Sequence, residues 1–152
     1  MYYYGYNTKI GKIYISADEN FVLSISLNKP DFCEKETPLI KKTFQELDEY
    51  FSGKRKTFDL PLKLNGTEFQ KKIWQELIKI PYGKTISYKE LAKRAGNEKA
   101  CRAAGMANNK NKIMIVIPCH RVVGSNGDLT GYAGGLNVKK QLLDLEAENS
   151  QN

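Results

Sequence analysis

The sequence predicts an α+β protein in two parts: a small β-sheet carrying one helix over residues 1–64, and a mainly helical region over 65–152. Three observations carry this. Apolar and polar residues alternate through the first 27 positions, as they do in half-buried strands. Beyond residue 65 the apolar positions recur at helical spacing, behind two capping-box patterns. The charge is divided too: residues 1–65 hold ten Lys/Arg against nine Asp/Glu, whereas 66–152 hold fourteen against eight.

In the first part, "KIYISA" and "FVLSISL" alternate, with Asp18, Glu19 and Asn20 as the turn between them. Phe21, Leu23, Ile25 and Leu27 are the expected inward face of the second run. Pro38 opens a helix whose Ile40, Phe44, Leu47 and Phe51 share one stripe, and Gly53 closes it. Residues 54–66 read as extended chain. No catalytic pattern occurs in this part.

In the second part, Thr67 and Gln70 have capping-box spacing ahead of Phe69, Ile73, Trp74 and Leu77. Pro81-Tyr82-Gly83 ends that helix. Ser87 and Glu90 repeat the box and start a short helix through Ala95; Gly96 ends it, and Asn97 is the expected cap of another helix running to about Asn108. Two short helices across a glycine turn have the pattern of a helix-turn-helix. "GSNGDLTGYAGG" then reads as loop, and a last amphipathic helix carries Val138, Leu142 and Leu145.

Composition excludes several classes. At 152 residues with 41% hydrophobic and 27% charged, the chain has the make-up of a globular protein, and no run reaches the roughly 20 apolar residues of a membrane span. "MYYYGYNTKIGK" lacks the features of a signal peptide, so an intracellular, cytoplasmic or nucleoid-associated protein is expected. Cys33, Cys101 and Cys119 are odd in number and widely spaced, which argues for free thiols. With no CxxC pair and a single histidine, no metal site is expected. Within 84–121, nine Lys/Arg face two Asp/Glu, the electrostatic footprint of a polyanionic partner and of nucleic acid first.

The chemistry centres on "IMIVIPCHRVV", an apolar, strand-like run that stops at Pro118 and then presents Cys119, His120 and Arg121. A thiol is nucleophilic as thiolate and needs a base within reach; His120 is the one imidazole in the chain. Neighbouring side chains on extended backbone point apart, so a turn or a bridging water is required between them. Without such a base a cysteine after an apolar run is a small core residue, and that reading stands for Cys33 and Cys101.

"IPCHRVV", preceded by "YGKTISYKELAKRAGNEKACRAAGMANNKN" and followed by "GYAGGLNVKKQLLDLE", closely resembles the O6-alkylguanine-DNA alkyltransferases over residues 65–147. The resemblance implies a ribonuclease H-like first domain (1–64) and a winged helix-turn-helix alkyltransferase domain (65–152). It implies a monomer that flips an O6-methylguanine out of double-stranded DNA, approached through the minor groove, and moves the methyl onto Cys119 once, with no cofactor and no regeneration. O4-methylthymine is a second candidate lesion.

The roles it implies fall on particular residues. His120 is the water-mediated base, Glu146 its orienting carboxylate, and Asn111 braces the turn. Tyr88 donates a proton to the leaving guanine. Main-chain atoms of Cys119 and Val122 read the base, with Tyr132 and Ala133 lining the pocket. Arg102 fills the gap left by the flipped base, and the small residues Ala100, Cys101, Ala103, Ala104 and Gly105 let the helix approach the groove. Arg121 is expected at the DNA surface or as electrostatic support. Ala133 stands where many members carry serine, and the zinc ligands of some members are missing.

Two rival readings share parts of this pattern. A non-catalytic lesion sensor of the same shape replaces the acceptor cysteine, usually by tryptophan, whereas Cys119 is present. A cysteine hydrolase needs its histidine placed by the fold, and the one here is the neighbour of the thiol.

Overall fold

The computed structural model describes residues 1–129, 132 and 135–150. These fall into two compact units, Met1–Leu64 and Asn65–Asn152, and mix sheet with helix.

The first unit contains β1 (Tyr2–Thr8), β2 (Gly11–Ala17), β3 (Val22–Ser26) and β4 (Cys33–Glu34), in the order β3-β2-β1-β4. A tight turn joins β1 to β2, with Gly11 at φ 112°, a conformation open to glycine. The short β4 runs parallel to β1. Helix α1 (Pro38–Phe51) starts on Thr37, whose hydroxyl accepts from the Ile40 amide at 3.3 Å. Its buried Ile40, Leu47 and Tyr50 cover the sheet face that carries Ile13, Ile15 and Ala17. Phe44 stacks on Tyr6 at 3.9 Å between ring centroids.

The expected alternation on β3 does not hold. Phe21 is exposed, and the buried residues are Val22 and Ile25. A β-bulge explains the shift: Ile25 pairs with Ile15 and Ser24 with Ser16, but Val22 pairs with Ala17, so Leu23 is an extra residue. One inserted position turns residues three apart toward the same core. Beyond α1 the chain returns extended along β3, with Val22 N donating to Pro61 O at 2.7 Å and Lys63 N to Val22 O at 3.0 Å.

The second unit begins with α2 (Glu68–Ile78). Its capping box closes in both directions, Gln70 N to Thr67 Oγ1 at 3.1 Å and Thr67 N to Gln70 Oε1 at 3.0 Å. The turn after it is closed by Lys84 N to Pro81 O, with Gly83 at φ 78°. Strand β5 (Ile86–Ser87) leads into α3 (Tyr88–Arg94), capped by Ser87 Oγ on Glu90 N at 3.0 Å. Helix α4 (Cys101–Asn109) packs on both α2 and α3. Asn97 does not cap it as expected: its side chain accepts from Lys99 N within the preceding turn, and α4 starts from Ala100 with no side-chain cap. Trp74 fastens the end of α4 to α2 through Nε1 to Ala107 O at 2.9 Å, inside the core.

The apolar run 113–117 is not a strand. Val116 N bonds Met114 O at 2.8 Å across Ile115, which takes φ 72°, and Cys119 N bonds Ile117 O at 2.8 Å across Pro118. These are two three-residue turns, the first of the rare positive-φ kind. A β-branched residue resists that conformation, and the burial of Ile113, Ile115 and Ile117 holds it. A 3₁₀ turn, Cys119–Arg121, follows, then β6 (Val122–Val123), which pairs in parallel with β5. Helix α5 (Leu136–Ser150) closes the unit.

Candidate active site

The coiled loop puts Cys119 at the first position of the 3₁₀ turn and nearly closes it from solvent, at 5% exposure. Burial pushes its thiol up from the ordinary range, opposed by the Asn111 amide, the Lys139 charge, its own backbone and the Tyr132 hydroxyl. The resting group is therefore the neutral thiol. The turn also removes the extended geometry that would have sent His120 to the opposite face.

His120 is wholly buried, with Nε2 at 2.5 Å from Oε2 of Glu146 on α5. The same carboxylate accepts from Arg121 Nε at 2.8 Å, from Arg121 Nη2 at 3.0 Å, and from the Gly83 amide at 3.1 Å. Burial pushes Glu146 up, but the hydrogen bond from His120, that ring's charge whenever it is protonated, and the bonds and charge of Arg121 outweigh it and hold the acid at about 2. Burial pushes His120 down, beyond what Glu146 restores, so the ring is neutral near pH 7. An ionised carboxylate can only accept, which assigns the ring proton to Nε2 and leaves a lone pair on Nδ1. That buried nitrogen has no hydrogen-bond partner among the described residues. The site holds a weak base next to an unionised thiol, backed by a carboxylate that steadies the imidazolium formed on proton transfer.

Arg121 is not at a DNA surface. It is 5% exposed, bonded to Glu146 and to Ile80 O at 2.7 Å, with its guanidinium 5.6 Å from the Tyr82 ring centre. A buried guanidinium needs a carboxylate, and Glu146 is the one it has.

Asn111 holds the loop ahead of Cys119: Nδ2 donates to Ile117 O at 2.8 Å, and Oδ1 accepts from Ile113 N at 3.0 Å. Tyr88 is half-buried at the start of α3, and Val122, on β6 and paired with Ile86, is buried. Burial first, and then Cys119 whenever it is ionised, push the Tyr132 phenol far up. Ala133 lies outside the described residues. Cys101 and Arg102 are exposed on α4 together with Ala103, while Ala100 and Gly105 are half-buried. Ala104 departs from the expected small-residue surface, because it is wholly buried. Of the nine basic residues in 84–121, all but Arg121 are exposed.

Two residues of the site escaped the sequence reading. Lys139 is wholly buried, donates to Val122 O at 2.6 Å and lies 5.8 Å from the Tyr88 ring centre; burial lowers its pKa and the Cys119 charge partly restores it. Its position with Leu142 and Glu146 on one stripe of α5 was a usable signal, since a lysine on an apolar stripe requires a partner. The other is Asn108, buried on α4 and donating through Nδ2 to Cys119 O at 3.3 Å.

Thiol chemistry, on a unit whose outward helices are basic, places the chain among cysteine-dependent proteins that act on nucleic acid. Residues 68–148 match the family described as "6-O-methylguanine DNA methyltransferase, DNA binding domain", and residues 1–64 match "6-O-methylguanine DNA methyltransferase, ribonuclease-like domain". A methylated-DNA–protein-cysteine methyltransferase of Methanosarcina acetivorans is 45% identical over 96% of this chain and 98% of its own. The constitutive methylated-DNA–protein-cysteine methyltransferase of Bacillus subtilis is 43% identical over 95% of this chain and 94% of its own. Among solved structures, the Mycobacterium tuberculosis protein in complex with DNA superposes with TM-score 0.91 at 36% identity, covering 98% of this chain and 94% of that one. The chain belongs to the 6-O-methylguanine DNA methyltransferase family.

Proposed function

We propose that this chain is a single-use DNA repair protein that takes the methyl group of O6-methylguanine in duplex DNA onto Sγ of Cys119. The observation that carries the reading is the uncommitted Nδ1 of buried His120, the residue following the buried Cys119 in the same 3₁₀ turn, with a carboxylate fixed behind the ring. In the reaction the Cys119 proton passes to His120 through a water, and the sulfur attacks the methyl carbon. The carbon–O6 bond breaks, and its electron pair leaves on the guanine, which takes a proton from Tyr88. The products are S-methylcysteine and unmodified guanine in the DNA. Nothing removes the methyl from sulfur, so each molecule acts once, and no cofactor enters.

The α3–α4 pair serves as the helix-turn-helix of a winged domain, docked by a monomer in the minor groove with Arg102 filling the stack. The exposed lysines of 84–112 supply the phosphate attraction. A base inside a duplex must leave the stack to reach a thiol this enclosed. Main-chain atoms of Cys119 and Val122, together with Tyr132, receive the flipped base, and O4-methylthymine is a second substrate. The first unit is a ribonuclease H-like domain, and the protein works in the compartment that holds the chromosome.

The test is mass spectrometry of the protein after incubation with duplex DNA containing O6-methylguanine. One methyl is gained per molecule on the peptide carrying Cys119, and none by Cys119→Ser. A methyl on another residue, or turnover beyond one per molecule, overturns the reading.

A further inference from the structure

Helix α4 has two faces with different duties. Cys101, Arg102 and Ala103 point outward, while Ala104, Ala107 and Asn108 are buried. Asn108 is the polar member of the inner face, at 1% exposure. Its Nδ2 donates to the carbonyl of Cys119, and its Oδ1 is buried without a partner among the described residues. An amide with one arm unpaired inside a core is a poor choice for stability, since leucine fills nearly the same space at no polar cost. Three residues on, Asn111 holds Ile117 O. The two asparagines thus grip the carbonyls on either side of Pro118, the one before it and that of the thiol residue itself.

We propose that Asn108 is a positioning residue for the transfer reaction: it ties the DNA-facing helix directly to Cys119 and fixes the pose of the acceptor by holding its main-chain carbonyl. The inference rests on the reading of Cys119 as the acceptor. A carbonyl oxygen has two lone pairs, so the bond from Asn108 sets the peptide plane while leaving the other lone pair for the base edge. Reacting atoms need placement within a fraction of an ångström, and a shift of the thiol residue carries directly into the rate.

The test compares Asn108→Leu and Asn108→Asp with the unaltered protein. Methyl transfer to Cys119 is followed under single-turnover conditions, once with saturating duplex carrying O6-methylguanine and once with the free O6-methylguanine base. Asn108→Leu folds and binds the duplex as the parent does, yet transfers about 10- to 100-fold more slowly in both reactions. In Asn108→Asp a carboxylate cannot donate to the Cys119 carbonyl but a carboxylic acid can. Its transfer rate relative to the parent therefore recovers as pH falls through the titration of the new acid, and recovers under conditions where melting shows the variant fully folded, which a purely structural residue would not give.

Parental rates for Asn108→Leu overturn the proposal, and so does a loss confined to duplex DNA and explained by weaker binding. Should Asn108→Leu fail to fold, the absence of acid recovery in Asn108→Asp overturns it alone. Absence of methyl on Cys119 in the unaltered protein would instead sink the functional reading on which the proposal stands.

Discussion

The Nε2 of His120 and Oε2 of Glu146 stand 2.5 Å apart within the core, and the same carboxylate receives two bonds from Arg121. One acid thus neutralises a buried guanidinium and orients a buried imidazole. Glu146→Gln keeps the shape and removes the charge, leaving Arg121 uncompensated. The expected loss is about 3–5 kcal/mol of folding stability, measured by denaturant unfolding. Transfer to Cys119 slows as well, because an imidazolium has lost its counter-ion.

The buried ion pair can be separated from catalysis by a double substitution. Arg121→Met combined with Glu146→Gln removes both charges together, and stability returns much of the way toward the parent while methyl transfer stays slow. Recovery of stability is read from the unfolding midpoint. Strictly additive losses in the double variant would mean that the two side chains do not compensate each other.

Acid should unfold this protein in two stages. His120 is held neutral by burial, so below its ordinary value of 6.5 the unfolded chain binds a proton that the folded chain refuses, and stability drops as pH falls. Glu146 has its pKa lowered from 4.5 to about 2, so its contribution is complete above 4.5 and is lost between there and about 2. Melting temperature against pH shows both stages, and Glu146→Gln lacks the second.

Arg102 is exposed on the outer face of α4. Arg102→Ala leaves stability within about 0.5 kcal/mol of the parent, as exposed substitutions do. Transfer from duplex DNA weakens, while reaction with the free base is retained. Parallel rate measurements on the two substrates check this, and equal losses on both would remove Arg102 from the DNA interface.

Trp74→Phe deletes the indole donor to Ala107 O and leaves that carbonyl buried without its partner. A loss of about 1–3 kcal/mol follows, visible in chemical denaturation. Since Ala107 precedes Asn108 on α4, transfer should slow beyond what the lost stability alone accounts for.

Local features of this chain were legible in its sequence because their causes are local. The box at Thr67/Gln70 and the Ser87 cap on the Glu90 amide use atoms three residues apart, and both helices begin where those residues stand. Glu146, named from the family resemblance, is bonded to His120, and Asn111 is bonded to the loop ahead of Cys119. Features set by distant partners were not legible. The bulge opposite Ser16 and Ala17 depends on how β2 meets β3, so alternation alone misplaced Phe21 and Leu23. Arg121 reads as a surface charge until Glu146 arrives from 25 residues away. The turn at Ile115 defeats any rule based on propensity, because isoleucine is among the residues least suited to positive φ.

That last residue has a consequence for how the acceptor becomes reactive. Ile115 is wound against its own preference and kept there by the side chains closing over it. Its local hydrogen bonds, those of Asn111 included, work together with that packing to keep the loop wound. Loosening of that packing around residues 113–117 would shift the sulfur with it, so the reactivity of the acceptor is tied to the integrity of the core it grows from.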